Sequence, residues 1–175
     1  MKLVFFIAMS LMVGLTGNWN ADTAAAKITF SIKGPFGTVN GNFSSLKADI
    51  QFDEKNPGAG SISASVETKT VSTGVGLRNH DLTHKEEWFN SDKYPQMSFH
   101  SKKIEKTDKG YTALGDLTIK GVTKPAEIPF TFSGNGNSGV FKGHFTIKRE
   151  DFNVGKPGGS VGSTVTVDLV VPVKK

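Results

Sequence analysis

Alternation of apolar and polar residues with a period of two is the feature that most constrains the fold of this chain. The pattern recurs in eight segments, at residues 28–32, 46–52, 62–66, 97–99, 117–119, 128–132, 141–147 and 165–173. Successive side chains of a β-strand point to opposite faces, so this period predicts strands with one buried and one solvated face. Eight such strands predict an all-β protein rather than a helical one.

Turn-forming sequences separate these segments, among them GPFG at 34–37, KGVTKP at 120–125 and GKPGG at 155–159. Short strands with short turns favour an antiparallel sandwich or a closed barrel. One stretch, residues 74–93, lacks the alternation and predicts a short helix or an irregular lid. Parallel sheets need repeated helical crossovers, so a single such stretch argues against a doubly wound α/β fold.

The first 26 residues have the composition of a secretory signal peptide. Lys2 precedes the uncharged segment 3–15, and small residues follow up to Ala26. Thirteen residues of helix extend roughly 20 Å, which is short for a hydrocarbon core of about 30 Å. We therefore expect cleavage after Ala26, or alternatively near Ala21, and a mature domain of residues 27–175. The product would be periplasmic or secreted. An uncleaved membrane anchor is the other interpretation.

Composition excludes several classes of site. The absence of Cys rules out disulfides, thiolate metal ligands and a cysteine nucleophile. The formal net charge of +5 is mild and scattered, and no basic–aromatic platform is present, so nucleic acid is not an expected partner. The same surplus suits an anionic small ligand or transient contact with a membrane surface.

Six motifs in fixed order resemble the YceI family of exported lipid-binding proteins. They are FDEKNP at 52–57, SISASVETKTVSTG at 61–74, RNHDL at 78–82, WFNSDKYPQMSFHS at 88–101, GDLTIKGVTKP at 115–125 and KREDFNVG at 148–155. The family usually has Asp and His in its arginine motif where this chain has Asn79 and Asp81.

The resemblance implies an eight-stranded antiparallel up-and-down β-barrel, lipocalin-like, with one short helical insertion near residues 76–90. It also implies a carrier of long apolar molecules, such as polyisoprenoids, isoprenoid quinones or fatty amides. An eight-stranded barrel has room for packed side chains or for one slim ligand. Bound lipid is then expected without any further cofactor, and the chain would act as a monomer or a homodimer.

One alternating face is expected to line the cavity of such a carrier. Its residues are Phe30, Ile32, Ile50, Phe52, Ile62, Val66, Phe99, Leu117, Ile119, Ile128, Phe130, Phe132, Phe145, Ile147, Val165, Val167 and Leu169. The alternative is that these side chains fill a dry core, as most alternating apolar faces do.

Polar and aromatic residues of the insertion are candidates for the cavity mouth. Arg78 and Asp81 are predicted to meet a ligand head group, because a guanidinium offers a fork of donors to phosphate or carboxylate. A structural salt bridge from Arg78 to Asp81, Glu86 or Asp151 is the alternative. Trp88 and Phe89 either plug the mouth or anchor the insertion to the barrel.

Two remaining patterns give weaker predictions. His80 and His84 are four residues apart, as in a helical metal pair, but no third ligand is evident and no metal site is predicted. The chain lacks the GxSxG, SxxK and HExxH motifs, so no catalytic residue is predicted. A hydrolase and a partner-binding barrel with a filled core are the competing functions.

Overall fold

The computed structural model describes residues 17–175. This part of the chain forms ten strands and one α-helix. In chain order they are β1 (Asn18–Ala21), β2 (Lys27–Gly34), β3 (Gly37–Phe43), β4 (Lys47–Gln51), β5 (Ser61–Glu67), α1 (Gly76–His84), β6 (Gln96–Thr107), β7 (Gly110–Ile119), β8 (Val122–Asn135), β9 (Ser138–Lys148) and β10 (Thr164–Lys174).

The strands form a closed antiparallel barrel. Eight of them make a ring in the order β1, β4, β5, β6, β7, β8, β9 and β10, and pairing between β1 and β10 closes it. Asn20 lies opposite Asp49 on β4 and opposite Lys174 on β10, so β1 bonds to a neighbour at each edge. The predicted all-β barrel class is confirmed.

The hairpin of β2 and β3 continues two strands of this ring beyond an interruption. Both β1 and β2 pair with β10, and they are separated by residues 22–26. In the same way β3 precedes β4, with residues 44–46 between them. Beyond the interruption β3 is bonded to β2 on one edge, and on the other it makes only an isolated bridge between Asn42 and Ser72. The wall of the barrel is therefore incomplete at this end.

Antiparallel order places the connections at two ends of the barrel. One end carries residues 35–36, 68–95, 120–121 and 149–163, and we call it the open end. The other carries residues 52–60, 108–109 and 136–137, and we call it the closed end. The longest connections lie at the open end, which is where the wall is incomplete.

Aromatic side chains fill the closed end. This aromatic plug consists of Trp19, Phe52, Tyr111, Phe130, Phe132 and Phe141. The Phe52 ring lies with its centroid 4.9 Å from that of Tyr111 and 5.4 Å from that of Phe132. Trp19 Nε1 donates a hydrogen bond of 3.0 Å to the Phe52 carbonyl oxygen. Tilted and edge-to-face rings at these separations stabilise a core beyond the burial of their area.

The α-helical insertion begins where the alternation stops. Gly74, with φ of +73°, turns the chain after the short 3₁₀ turn Thr68–Thr70, and α1 follows. An ion pair between Lys85 and Asp81, 2.9 Å apart, lies at its end. The predicted insertion near 76–90 is thus a helix of nine residues followed by turns.

Lys120 ties this insertion to the barrel. Its Nζ donates to the carbonyl oxygens of Glu86, at 2.6 Å, and of Asn153, at 2.7 Å. The pKa of Lys120 lies below its usual value, because the lowering by burial outweighs the raising by the charges of Glu86 and Glu87. One ammonium group therefore joins the β7–β8 turn to two other connections at the open end.

Two strands were not predicted, and both lie in the first part of the chain. β3 has only Val39 and Phe43 as large apolar residues, so its alternation is weak. β1 lies in the segment 1–26 that was assigned to a signal peptide. Cleavage after Ala26 would remove β1, which pairs with β4 and β10, from the barrel; the cleavage site itself stays a prediction. Residues 1–16, which contain the whole apolar segment 3–15, lie outside the described residues.

In the described residues, no helix is long and apolar enough to cross a membrane.

Loss of β1 should weaken the barrel measurably. A chain that begins at Lys27 loses Trp19, which is 7% exposed, together with its pairing to β4 and β10. We expect this truncation, or Trp19→Ala in a chain that begins at Gly17, to lower the free energy of unfolding by about 3–5 kcal/mol. Urea unfolding measures the change, and Phe36→Ala, at a fully exposed residue, is the control. Equal stability of the chains beginning at Gly17 and Lys27 would show that β1 is dispensable.

Candidate functional site

A deep cavity occupies the barrel between the aromatic plug and the open end. Its volume is about 890 Å³, and almost all strands contribute to its wall. This lies within the ~300–1,000 Å³ typical of pockets that bury a small molecule. Phe130 and Phe141 of the plug form its floor, so the cavity is open at one end only.

The structure places fifteen of the seventeen predicted lining residues on the cavity wall. The exceptions are Phe52 and Phe132, which pack inside the plug below the floor. The residues on the wall are Phe30, Ile32, Ile50, Ile62, Val66, Phe99, Leu117, Ile119, Ile128, Phe130, Phe145, Ile147, Val165, Val167 and Leu169. Their contact with a ligand stays a prediction.

Other wall residues were missed by the sequence analysis. Ala48, Ala64, Met97, Phe141 and Val171 all lie on the wall, and all belong to the alternating segments. Each occupies an inward-facing position of its alternating segment, so the period of two could have identified it. The β2–β3 hairpin also contributes wall from Gly34 to Asn40, and no signal identified it, because GPFG indicates only a turn.

All four predicted mouth residues border the cavity. Arg78 and Asp81 lie on α1, and Trp88 and Phe89 follow it. Phe89 packs edge-to-face on Phe43, with 5.9 Å between ring centroids. Phe89 therefore anchors the insertion to β3, and both residues border the mouth; plugging of the mouth by this pair stays a prediction.

Arg78 does not form the salt bridge that was its alternative role. Asp81 pairs instead with Lys85, and within residues 17–175 Arg78 has no acidic partner within 4.0 Å. Nor does its guanidinium donate a hydrogen bond there. A half-buried cation at the mouth of an apolar cavity can bind an anionic or carbonyl-bearing group.

Asn79 fixes the bend that leads into α1. Its Oδ1 accepts hydrogen bonds from the backbone N of Thr73, at 2.9 Å, and from Thr73 Oγ1, at 2.7 Å. Both contacts need only an oxygen acceptor, which Asp would also supply. The departure from the family motif at this position therefore preserves the local hydrogen bonding.

Arg149 is a buried cation of the site, and no motif in the sequence predicts a role for it. Its side chain is 4% exposed, and its nitrogens donate to the carbonyl oxygens of Gly162, Val154, Lys156 and Val161 at 2.8–3.1 Å. An ion pair of 3.0 Å to Glu150 compensates its charge. Arg149 thus holds the loop 154–162, part of which lines the cavity, in one conformation.

Gly155 allows this loop to approach Arg149 closely. Its φ is +70°, and a Cβ atom there would lie 2.5 Å from Arg149 Nη1 and 2.7 Å from a ring carbon of Trp88. The Trp88 ring in turn lies 5.8 Å from the guanidinium carbon. Only glycine fits this position without moving the wall.

The two histidines of α1 stack on each other. The rings of His80 and His84 are 4.3 Å apart and nearly parallel. His84 Nδ1 lies 3.0 Å from the His80 carbonyl oxygen and 2.8 Å from Thr83 Oγ1. In the described part of the chain no group of three or more His, Cys, Asp or Glu residues is placed to hold a metal ion.

A serine and a histidine are hydrogen-bonded on the outer surface of the barrel. Ser63 Oγ lies 3.1 Å from His100 Nδ1. Asp116 is opposite His100 on the next strand, but its carboxylate pairs with Lys102 at 2.7 Å. The three residues therefore do not form the base–orienter chain that nucleophilic catalysis requires.

The family of the chain follows from comparison with known proteins. A model of the YceI-like domain matches residues 19–173, which is nearly all of the described chain. The chain belongs to the YceI-like domain family. The match begins within β1, so the family pattern includes the strand that closes the barrel.

Relatives of similar length support this assignment. A UPF0312 protein of Yersinia enterocolitica is 34% identical over 153 residues, which cover 83% of this chain and 79% of that protein. A UPF0312 protein of Yersinia pestis is 32% identical over the same coverage.

Solved structures show the same barrel. BcnA of Burkholderia cenocepacia has a TM-score of 0.81 and 28% identity over 87% of this chain and 99% of that one. A YceI protein of Campylobacter jejuni has a TM-score of 0.71 and 25% identity over 78% and 85% of the two chains. A polyisoprenoid binding domain from Saccharophagus degradans, at 15% identity and a TM-score of 0.66 over 89% and 97%, shares the fold.

Replacement of Arg149 should destabilise this YceI-like domain. Arg149→Met leaves four loop carbonyls and Glu150 without their donor. We expect a loss of about 3 kcal/mol in the free energy of unfolding. Arg78→Met removes the same charge from a side chain without these bonds, and should change stability by about 0.5 kcal/mol or less. Chemical denaturation measures both changes in the free energy of unfolding. Equal losses would refute the role of Arg149 in holding the loop 154–162.

Proposed function

We propose that this protein is a carrier that holds one long apolar molecule, a polyisoprenoid, an isoprenoid quinone or a fatty amide, inside its barrel. The observation that carries the proposal is the cavity of about 890 Å³, which is lined mainly by apolar side chains. Family membership supports a lipid-binding role for such a barrel. The fold is also shared with the polyisoprenoid binding domain of Saccharophagus degradans.

The length of the strands around the cavity suits an extended tail. A strand of ten residues, such as β7, spans roughly 33 Å at ~3.3 Å per residue, and the aromatic plug occupies only its closed end. Burial of apolar surface stabilises by ~25 cal/mol per Å², so several hundred Å² of tail would contribute on the order of 10 kcal/mol before association costs are subtracted. Binding of this kind needs no catalytic group.

The aromatic plug sets the direction of the ligand. Because the closed end is filled by packed rings, a tail enters from the open end and its polar head stays at the mouth. Arg78 and Asp81 border that mouth, and Arg78 has no acidic partner in residues 17–175. We assign to Arg78 the recognition of an anionic head group.

Export is part of the proposal. Removal of the N-terminal segment would release the barrel to the periplasm or the exterior, and a barrel that keeps β1 requires cleavage before Asn18. Transient contact with a membrane surface would let the carrier exchange its ligand.

The competing functions have less support. A barrel with a filled core is difficult to reconcile with a cavity of this volume. A hydrolase would need a nucleophile with an oriented base, and Ser63 and His100 lack the third group. Esterase turnover above background, abolished by Ser63→Ala, would favour the hydrolase.

An apolar fluorescent probe should bind saturably and be displaced by a polyprenol or a long-chain quinone. Native mass spectrometry of the protein purified from its host should show a noncovalent mass beyond that of the polypeptide. A bare polypeptide mass together with no uptake of the probe would overturn the proposed carrier function.

A pair of substitutions on β5 separates cavity binding from surface binding. Ala64 lies on the cavity wall, and Ser63 faces outward on the same strand. We expect Ala64→Phe to fill part of the cavity and weaken probe binding at least tenfold, with Ser63→Phe changing it less than twofold. Equal affinities of the two variants would place the probe elsewhere.

Arg78→Ala should weaken binding of an anionic prenyl phosphate more than that of the neutral prenyl alcohol. The expected loss is about tenfold for the phosphate, as for a charge-assisted hydrogen bond of ~1.4 kcal/mol. Competition titrations against the same probe measure both affinities. Equal losses for the two ligands would assign Arg78 a structural role.

A further inference from the structure

Three large apolar side chains of the described residues are exposed, and all three lie at the open end. Phe36 is fully exposed, Leu77 is 76% exposed and Val75 is 45% exposed. The other large apolar side chains of residues 17–175 are buried or partly buried. Exposed apolar groups gathered at one end of a molecule mark an interaction surface rather than ordinary variation.

Phe36 stands at the tip of the β2–β3 hairpin, between Pro35 and Gly37. The tip borders the cavity mouth, and nothing in residues 17–175 covers it. Pro35 fixes its own φ angle, so the turn presents the ring from a stiff support. The fully exposed ring would be costly in water unless it served to contact another apolar phase.

Leu77 and Val75 form a second apolar lip at the start of α1. Leu77 is adjacent to Arg78, which borders the same mouth as the hairpin tip. Leu77 itself does not line the cavity. The mouth therefore has exposed apolar side chains on two separate elements, the hairpin and the insertion.

Unpaired cations accompany these side chains. Lys33, three residues before Phe36, is exposed and makes no ion pair within residues 17–175. Arg78 also lacks an ion pair in this part of the chain. Lys156 at the same end is compensated by Glu87 at 3.4 Å, whereas Lys93 and Lys120 form no ion pair within the described residues. Glu86, Asp92 and Asp151 at the open end also form no ion pair within residues 17–175. The charged residues nearest in sequence to Phe36 and Leu77 are nevertheless Lys33 and Arg78, and the whole chain carries +5.

We infer that the open end docks on an anionic phospholipid bilayer, with Phe36 and Leu77 inserted at the level of the head groups and with Lys33 and Arg78 on lipid phosphates. Apolar tips flanked by cations suit an interfacial contact, because the tips enter the acyl boundary while the charges meet the anionic surface. The inference rests on the proposed carrier function in one respect. With the mouth against the bilayer, a ligand passes between membrane and cavity without crossing water.

Co-sedimentation with sucrose-loaded vesicles tests the docking. We expect the protein to partition at least tenfold more strongly onto phosphatidylcholine vesicles containing 30% phosphatidylglycerol than onto pure phosphatidylcholine, and salt should reduce this binding. Phe36→Ser and Leu77→Ser should each weaken partitioning at least fivefold. No binding of the unmodified protein to either vesicle would overturn the inference, and a partner protein would then be the occupant of this surface.

Matched charge variants show which end of the barrel faces the bilayer. Lys33→Gln removes a cation from the open end, and Lys109→Gln removes an exposed cation from the β6–β7 turn at the closed end. We expect only Lys33→Gln to weaken vesicle binding, by about threefold or more. Equal effects would show nonspecific attraction and refute docking by the open end.

Probe binding distinguishes failure of the docking from failure of the carrier function. Leu77 lies outside the cavity wall, so Leu77→Ser should bind the apolar probe as the unmodified protein does while it loses vesicle binding. Loss of probe binding and vesicle binding together would indicate a structural defect and count against this role of Leu77. If the unmodified protein took up no probe but still bound vesicles, the carrier function would be refuted and the docking would stand.

Discussion

Pairing of β1 with β4 on one edge and with β10 on the other is the constraint on which the rest of the structure depends. A strand of four residues converts an open sheet into a closed ring, and it leaves none of the eight ring strands with an unpaired edge at that end. Closure also brings Trp19 over Phe52 and Phe132, so the same strand completes the aromatic plug. A hollow barrel depends on such a contact, because an empty cavity contributes no packing of its own.

The interior is divided between stability and binding. Near the closed end, the rings of Phe52, Tyr111, Phe132 and their neighbours meet at centroid distances of about 5 Å and exclude everything else. Towards the open end, aliphatic residues and small ones such as Ala48 and Ala64 leave the centre free. Packing in one half of the barrel thus compensates for its absence in the other half, and the cavity acquires a floor and a single direction of entry.

The open end is held by a few polar groups. Arg149 gathers four carbonyl oxygens of one connection, and Lys120 joins two others. Each is a single long side chain that satisfies several backbone acceptors, which fixes loops that have little apolar surface to bury. In residues 17–175 neither the β2–β3 hairpin tip nor the start of α1 is held by a long cationic side chain of this kind, although Asn79 fixes the bend before α1. These are also the elements that expose apolar side chains at the mouth.

By itself the sequence determined which residues form most of the strands and which face of each strand points inward. A period of two depends only on the pleat, so the inward parity of Phe30, Val167 and thirteen others could be read without any knowledge of their neighbours. Ordered motifs likewise identified the family. Only the tertiary structure decided that Phe52 and Phe132 belong to the plug, that β1 is part of the barrel, and that Arg149 is buried while Phe36 is exposed. These outcomes depend on what lies across the barrel from each side chain, and residues distant in sequence meet there without leaving any local pattern.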